Sequence, residues 1–287
     1  VNINNGDRFE VELETWTDQG ETLCHIENLK AVVFGGIPGE RAVIEVLRVK
    51  KEYIAAKVVE VLIPSEDRQA IDCQYFGECT GCQYRHLKYT KQLELKKAYL
   101  DRTLSENITL HNNVLRDVIP SAVQNHYRNH ARFTISKEGM LGFIGKETRR
   151  FVHVTKCLLM SDHINKLMEG LQSKAAQTRQ LSVRASEFSE GYLIQPKLKD
   201  VEIELNTGQS SYYEHIGDQR FKVASPSFFQ VNNAQVLKMI ETIRGSGMID
   251  KTSRVLDAYA GVGTLAILIS PYVEYVFGIE DSAAAVS

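Results

Sequence analysis

Four of the chain's five cysteines fall in a pattern that suits metal ligation. Cys73, Cys79 and Cys82 form C-x5-C-x2-C within the polar stretch DCQYFGECTGCQYR, and Cys157 stands alone further along. Core packing would put small apolar side chains in a polar loop, so three thiols this close, with Gly77 and Gly81 letting the backbone curl, read as ligands. Thiolates are soft donors, which leaves zinc and iron–sulfur as the candidate chemistries. Structural zinc draws on paired C-x2-4-C knuckles, and only one such pair is present. A local triplet plus a remote cysteine is the pattern by which a 4Fe–4S cluster takes three near corners and one distant corner. A Cys3His zinc site using His86, His153 or His163 stays open at this level, and ordinary core or surface histidine is the plainer reading of each. Cys24, alone among strand residues, reads as a small buried hydrophobe.

A second constellation is VLDAYAGVGTL, an apolar strand followed by D-x-x-x-G-x-G. Gly261 and Gly263 let the backbone approach a ligand at a helix N-terminus, and Glu280, at the end of EYVFGIE, is placed to accept from ribose hydroxyls. Ala266 takes the third glycine's place. The Asp257 start and the short helix turn suit S-adenosylmethionine better than a dinucleotide, although a ligand-free Rossmann crossover has the same outline. A third feature is HYRNHARFTI, where Tyr127, Ala131, Phe133 and Ile135 alternate with Arg128, His130 and Arg132. One face would pack on a core and the other could meet phosphates, or simply face water.

These residues must be positioned by three stretches. Residues 1–64 read as a small OB-like β-barrel: RFEVELE alternates with period two, GGIPGE is a turn cluster, and AVIEVLRV and EYIAAKVVEVLI are β-rich. Residues 65–225 hold the cysteine loop and a helix in LKYTKQLELKKAYLDRTL, with Tyr89, Leu93, Leu100 and Leu104 on one face. They also hold a second helix after Ser161–Asp162 with Ile164, Leu167, Met168 and Leu171 inward. In residues 226–287 a helix capped by Asn232 or Asn233 turns Val236, Leu237, Ile240 and Ile243 inward and stops at Gly245, and EYVFGIE follows as a second buried strand.

The chain has 287 residues, 43% hydrophobic and 24% charged, which is ordinary globular composition and excludes fibrous or low-complexity classes. No apolar run is long enough to span a bilayer, and the opening VNINNGDRFEVELE is not a signal peptide, so a cytoplasmic protein without membrane contact is expected. Residues 1–64 carry 7 basic against 11 acidic side chains, residues 65–160 carry 15 against 10, and residues 161–287 carry 12 against 15. A polyanion contact would therefore centre on the middle third.

Taken in order, the barrel, C-x5-C-x2-C, the remote cysteine, SFFQVN, DAYAGVGT and GIE resemble the RumA-type (uracil-5-)methyltransferases of RNA along essentially the whole chain. The resemblance implies a multi-domain protein: a TRAM β-barrel, a mixed α+β iron–sulfur central domain, and the start of an α/β Rossmann-like methyltransferase domain. It implies a 4Fe–4S cluster on Cys73, Cys79, Cys82 and Cys157, and S-adenosylmethionine contacts from Gln230, Tyr259, Gly261 and Glu280. YRNHARF departs from the family's YRNK at His130, and TGC replaces GGC at Thr80. The implied reaction adds a cysteine thiolate to carbon 6 of uridine, so that carbon 5 becomes nucleophilic enough to take the methyl group, after which a base removes the carbon-5 proton. The implied partner is RNA, ribosomal 23S RNA ahead of transfer RNA, bound by a monomer. The family's nucleophile and base lie beyond residue 287, so the chain alone is expected to be an inactive N-terminal portion. A noncatalytic iron–sulfur RNA-binding protein is the alternative.

Overall fold

The computed structural model describes residues 3–79, 81–107, 115–199 and 202–286. It divides into two units, Val1–Pro120 with Phe143–Val152, and Ser121–Gly142 with His153–Ser287.

The first unit is built on a six-stranded sheet of β1 (Arg8–Glu12), β2 (Thr15–Trp16), β3 (Thr22–Ile26), β4 (Leu29–Phe34), β5 (Arg41–Val49) and β6 (Ile54–Ile63). Its order is β1-β5-β6-β4-β3-β2, with only the β4–β6 pair parallel. The sheet curls, because the chain leaving β1 reaches the far side, where the Glu14 N–H donates to the Leu23 carbonyl at 2.8 Å. The period-two residues Val11 and Leu13 turn into one core with Cys24, Ile26, Val33, Ile44, Val46 and Ile54. Each large aliphatic side chain buried there contributes about 2 kcal/mol.

The GGIPGE turn is fixed to the chain after β6 by a buried ion pair. Glu40, wholly buried, takes both Arg68 Nε at 2.5 Å and Nη2 at 2.6 Å, and accepts backbone N–H groups from Ile37 and Ser65. Helix α1 (Tyr89–Asn107) forms where the pattern predicts. Of the apolar face expected for it, Tyr89, Leu93 and Leu104 are half-buried and none is fully buried, while Leu100 is 46% exposed.

A five-stranded sheet is formed by β7 (His130–Ile135), β8 (Leu141–Ile144), β9 (Phe151–His153), β10 (Gln180–Ala185) and β11 (Tyr192–Gln195), ordered β11-β10-β7-β8-β9, with β7, β10 and β11 wholly in the second unit. Helix α2 (Asp162–Leu171) starts at Ser161, whose hydroxyl accepts from the Ile164 N–H, and buries Ile164, Leu167, Met168 and Leu171 as predicted. β12 (Ser211–Ile216) and β13 (Gln219–Ala224) make a hairpin leading to α3 (Asn233–Gly245), capped by Asn232. Val236 and Ile240 are buried, whereas Leu237 turns outward at 38% exposure.

β14 (Arg254–Asp257), α4 (Thr264–Ile269) and β15 (Tyr275–Gly278) follow as a parallel βαβ unit, and α5 (Ala283–Val286) comes last. Val255 and Val276 face the core, but Leu256, Tyr275 and Phe277 on the opposite face are 56–60% exposed, so β15 is not the buried strand expected. Among the described residues no helix is long and apolar enough to cross a membrane.

Candidate functional site

The glycine loop between β14 and α4 is shaped by its two glycines. Gly261 (φ +56°) and Gly263 (φ +78°) adopt left-handed backbone that a side chain would strain, and Gly263 is the residue from which α4 starts. The Gly261 N–H points back across the sheet end and donates to Glu280 Oε2 at 2.7 Å, while Glu280 Oε1 accepts the Ser282 N–H at 2.9 Å. These two backbone donors, Ser282 first, hold the Glu280 carboxyl below the usual carboxylate range. Each carboxylate oxygen keeps a second lone pair for a ligand hydroxyl. Tyr259, on the same loop, is 92% exposed.

Gln230 arrives from a different direction. The loop after β13, SFFQVN, has no sheet partner of its own, so its carbonyls are satisfied by neighbours. Asn129 Nδ2 donates to the Gln230 carbonyl at 3.0 Å and to Asn233 Oδ1 at 3.1 Å, and the Asn129 N–H donates to the Val231 carbonyl. Arg184 Nη2 donates to the Ser227 carbonyl at 2.8 Å. Phe229 of this loop and Val262 of the glycine loop pack on one core cluster with Val236, Leu268 and Ile269. Gln230 is half-buried and Phe228 is 71% exposed. Thus Gly261 and Glu280 meet directly, Tyr259 stands two residues before Gly261 on the same loop, and Gln230 is carried by a loop anchored in the same core. Asn129 and Arg184 were not expected from the sequence. The one signal was an arginine among the apolar residues Leu181, Val183 and Ala185 of the LSVRA strand.

The alternation in HYRNHARFTI is present from His130 onward. Ala131, Phe133 and Ile135 are buried and Arg132 is exposed, while Tyr127 and Arg128 precede the strand rather than belonging to it. The cationic face is weaker than the sequence suggests. Burial first, then the charges of Arg184, Arg132 and Arg128, push the His130 imidazole down to about 4, and its Nε2 meets Ser182 Oγ at 2.9 Å. His130 is therefore neutral near pH 7.

The cysteine loop is folded by tight turns. The Phe76 N–H bonds the Cys73 carbonyl, the Cys79 N–H bonds the Tyr75 carbonyl at 2.9 Å, and Gly77 takes φ +93°. Cys79 also pairs with Gly145 in an isolated bridge. Cys79 Sγ accepts the Gly81 N–H at 3.3 Å, and the Arg85 guanidinium, held by Asp72 at 2.6 and 2.8 Å, interacts electrostatically with Cys82 and Cys73. An N–H donor and a nearby cation are what thiolate ligands call for. Thr80 lies outside the described residues, and among those described no three His, Cys, Asp or Glu side chains are gathered so as to hold a metal ion. Cys157 belongs to the second unit, where Asn165 binds its N–H and its carbonyl at 2.8 and 3.0 Å.

The three histidines are engaged elsewhere: His86 with the Gly36 carbonyl, His153 with Gln172, and His163 with the Ser186 carbonyl. Cys24 is wholly buried, and its thiol is pushed up to about 12 by burial first and the Glu14 charge second, which rules it out as a nucleophile at neutral pH.

Known proteins of one kind match this chain almost end to end. An uncharacterised RNA methyltransferase of Clostridium acetobutylicum is 24% identical over an alignment covering 98% of this chain and 73% of the relative. Another, of Caldanaerobacter subterraneus subsp. tengcongensis, is 25% identical over 98% of this chain and 74% of its own length. Among solved structures, the Pyrococcus abyssi tRNA (uracil-54, C5)-methyltransferase in complex with S-adenosyl-L-homocysteine superposes with a TM-score of 0.71 at 21% identity, covering 96% of this chain and 74% of that one. No protein-family model matches the chain. The similarity to RNA methyltransferases expected from the motifs is borne out, and the fold is shared with a methyltransferase.

Proposed function

We propose that this chain holds the cofactor of an S-adenosylmethionine-dependent RNA methyltransferase acting on carbon 5 of uridine. The observation that carries the reading is the Gly261–Glu280 bond, 2.7 Å long, which joins a left-handed glycine loop at a helix start to an acidic side chain beyond the next strand. That is the geometry of a nucleoside-binding crossover, and relatives named RNA methyltransferases align with 98% of the chain.

When bound, S-adenosylmethionine supplies an electrophilic methyl group on a sulfonium. The chain's own part is to hold that nucleoside. Glu280 accepts from ribose hydroxyls, the Gly261–Gly263 backbone allows close approach without a Cβ, and the exposed Tyr259 and the side chain of Gln230 complete the contacts. None of the five cysteines serves as the nucleophile in this reading. Cys24 is buried and protonated, and Cys73, Cys79, Cys82 and Cys157 are proposed as ligands of a 4Fe–4S cluster. The donor set supports that assignment, since the loop thiols have an N–H donor and a cation beside them. No step of the transfer runs through the cluster. Residues 1–64 take the part of a TRAM barrel, and the exposed Arg132 offers a phosphate contact.

A uridine must be unstacked before both faces of its ring can be reached, so the target is a loop or a single strand. Ribosomal 23S RNA is the substrate the motif resemblance implies. Transfer RNA is the second reading, favoured by the substrate printed for the Pyrococcus abyssi neighbour. A map of 5-methyluridine in total RNA from cells with and without the intact gene tests both. Loss at one ribosomal position supports the first, loss at one transfer-RNA position supports the second, and no loss anywhere moves the noncatalytic RNA-binding reading to the front.

A further inference from the structure

We infer that Arg184 and Asn129 are positioning residues that hold the Gln230 loop in the shape required to bind S-adenosylmethionine. The inference rests on the proposed role of Gln230 and deepens it. Three separate parts of the chain meet here: β10 supplies Arg184, the position just before β7 supplies Asn129, and the segment between β13 and α3 supplies the loop. Arg184 is 6% exposed and Asn129 2%. The two strands are paired so that Arg184 faces His130 directly, which puts Arg184 and Asn129 at one end of the same strand pair. The Ala185 N–H donates to the Asn129 carbonyl at 3.0 Å, locking that end.

From this platform two side chains and one backbone N–H take the carbonyls of Ser227, Gln230 and Val231. The loop is thereby held on both sides of Phe228 and Gln230, and the Gln230 side chain is left for a ligand. Asn129 Nδ2 also reaches Asn233 in the first turn of α3, so the loop and the helix after it are set together.

The choice of residue at 184 favours this role over plain packing. A buried guanidinium is costly, and its Nε has no hydrogen-bond partner among the described residues. A methionine would fill similar space between Val183 and Ala185, both wholly buried. What methionine cannot do is donate to the Ser227 carbonyl. Arg184 also interacts electrostatically with Tyr212, whose hydroxyl lies 3.5 Å from the wholly buried Glu214.

The test uses the protein as its intact gene encodes it. S-adenosylmethionine affinity is measured by calorimetry for wild type, R184M, R184K and N129A, with RNA affinity and the thermal midpoint taken on the same samples. R184M and N129A should weaken S-adenosylmethionine binding about tenfold or more while RNA affinity moves by less than about twofold, and R184K should recover most of the loss. Loss of a purely structural residue would lower the midpoint and leave the cofactor constant of the folded protein unchanged. R184M or N129A binding the cofactor as tightly as wild type overturns the inference whatever the midpoint does. Should R184M fail to fold, N129A and R184K decide by the same comparison. Wild-type protein that binds no S-adenosylmethionine overturns the reading of the loop, and this inference with it.

Discussion

Gly261 and Glu280 are joined by a backbone-to-carboxylate hydrogen bond of 2.7 Å, the shortest link between the glycine loop and the end of the following strand. The bond makes Glu280 both a part of the loop's architecture and a candidate ligand. E280A should therefore weaken S-adenosylmethionine binding more than loss of a ribose contact alone, by about a hundredfold or more, and E280Q, which keeps an oxygen acceptor, by less. Because its backbone donors depress the Glu280 pKa, the bond is at full strength above the ordinary carboxylate range and is lost only as pH falls through the lowered value. Cofactor affinity should be flat from neutral pH down to about pH 5. Calorimetry on both variants across that range checks this, and an E280A protein with wild-type affinity would sink it.

His130 stands where the resembling family has lysine, and it carries no charge at neutral pH. H130K should add a cation beside Arg132, tighten RNA binding, and steepen the dependence of log Kd on log salt by about one unit. A filter-binding salt series reads this directly. An unchanged slope would show that this strand face does not meet the phosphate backbone.

His86 and His130 share a second consequence. Burial, the largest cause for each, pushes both imidazoles down to about 4 from their ordinary 6.5. The unfolded chain then binds more protons than the folded one between these values, so stability rises with pH from about 4 to about 6.5 and is level above that. For His86, only 1% exposed, the contribution is at most ~3 kcal/mol. Urea midpoints taken from pH 4.5 to 7.5 should fall on the acid side, and H86Q should flatten part of that fall.

Arg68 and Glu40 predict a different kind of loss. Glu40 is wholly buried, and Arg68 meets both of its oxygens. R68A would strand an uncompensated buried carboxylate at about 3–5 kcal/mol, whereas exchanging both partners for apolar residues of similar size should cost far less. Denaturant unfolding of R68A and of R68M/E40M separates the two effects. Equal losses in the two proteins would show that the pair acts only by filling space.

Much of this architecture was legible because it follows from short-range rules. Val11 and Leu13 alternate into the first core, Ser161 caps α2 three residues before Ile164, and Asn232 caps α3. Gly261 and Glu280 could be paired from sequence because a parallel βαβ crossover brings the strand ends side by side. What stayed hidden depends on distant partners. Arg184 gives no local sign that it will reach Ser227, 43 residues away, and His130 reads as a cation until its buried surroundings are known. Leu100 and Phe277 obey the apolar pattern and still face outward, since period alone does not say whether a second layer covers them.

The cysteines yield the prediction that separates ligand from bystander. Cys73, Cys79 and Cys82 are half-buried in a loop whose turns are closed by backbone bonds, Cys79 accepts an N–H from Gly81, and Arg85 interacts with the other two. Cys24 shares none of this and is sealed in the sheet core with its thiol protonated. If the four remaining cysteines hold a 4Fe–4S cluster, protein purified without oxygen should be brown and carry about four iron and four sulfide per chain. C79S should lose most of that iron, and C157S should lose it too, since one missing corner destabilises a cuboidal cluster. C24S should keep its full iron content and lose only packing energy, about 1 kcal/mol. Iron retained in C157S would remove that residue from the ligand set, and zinc without iron in the wild type would remove the cluster altogether.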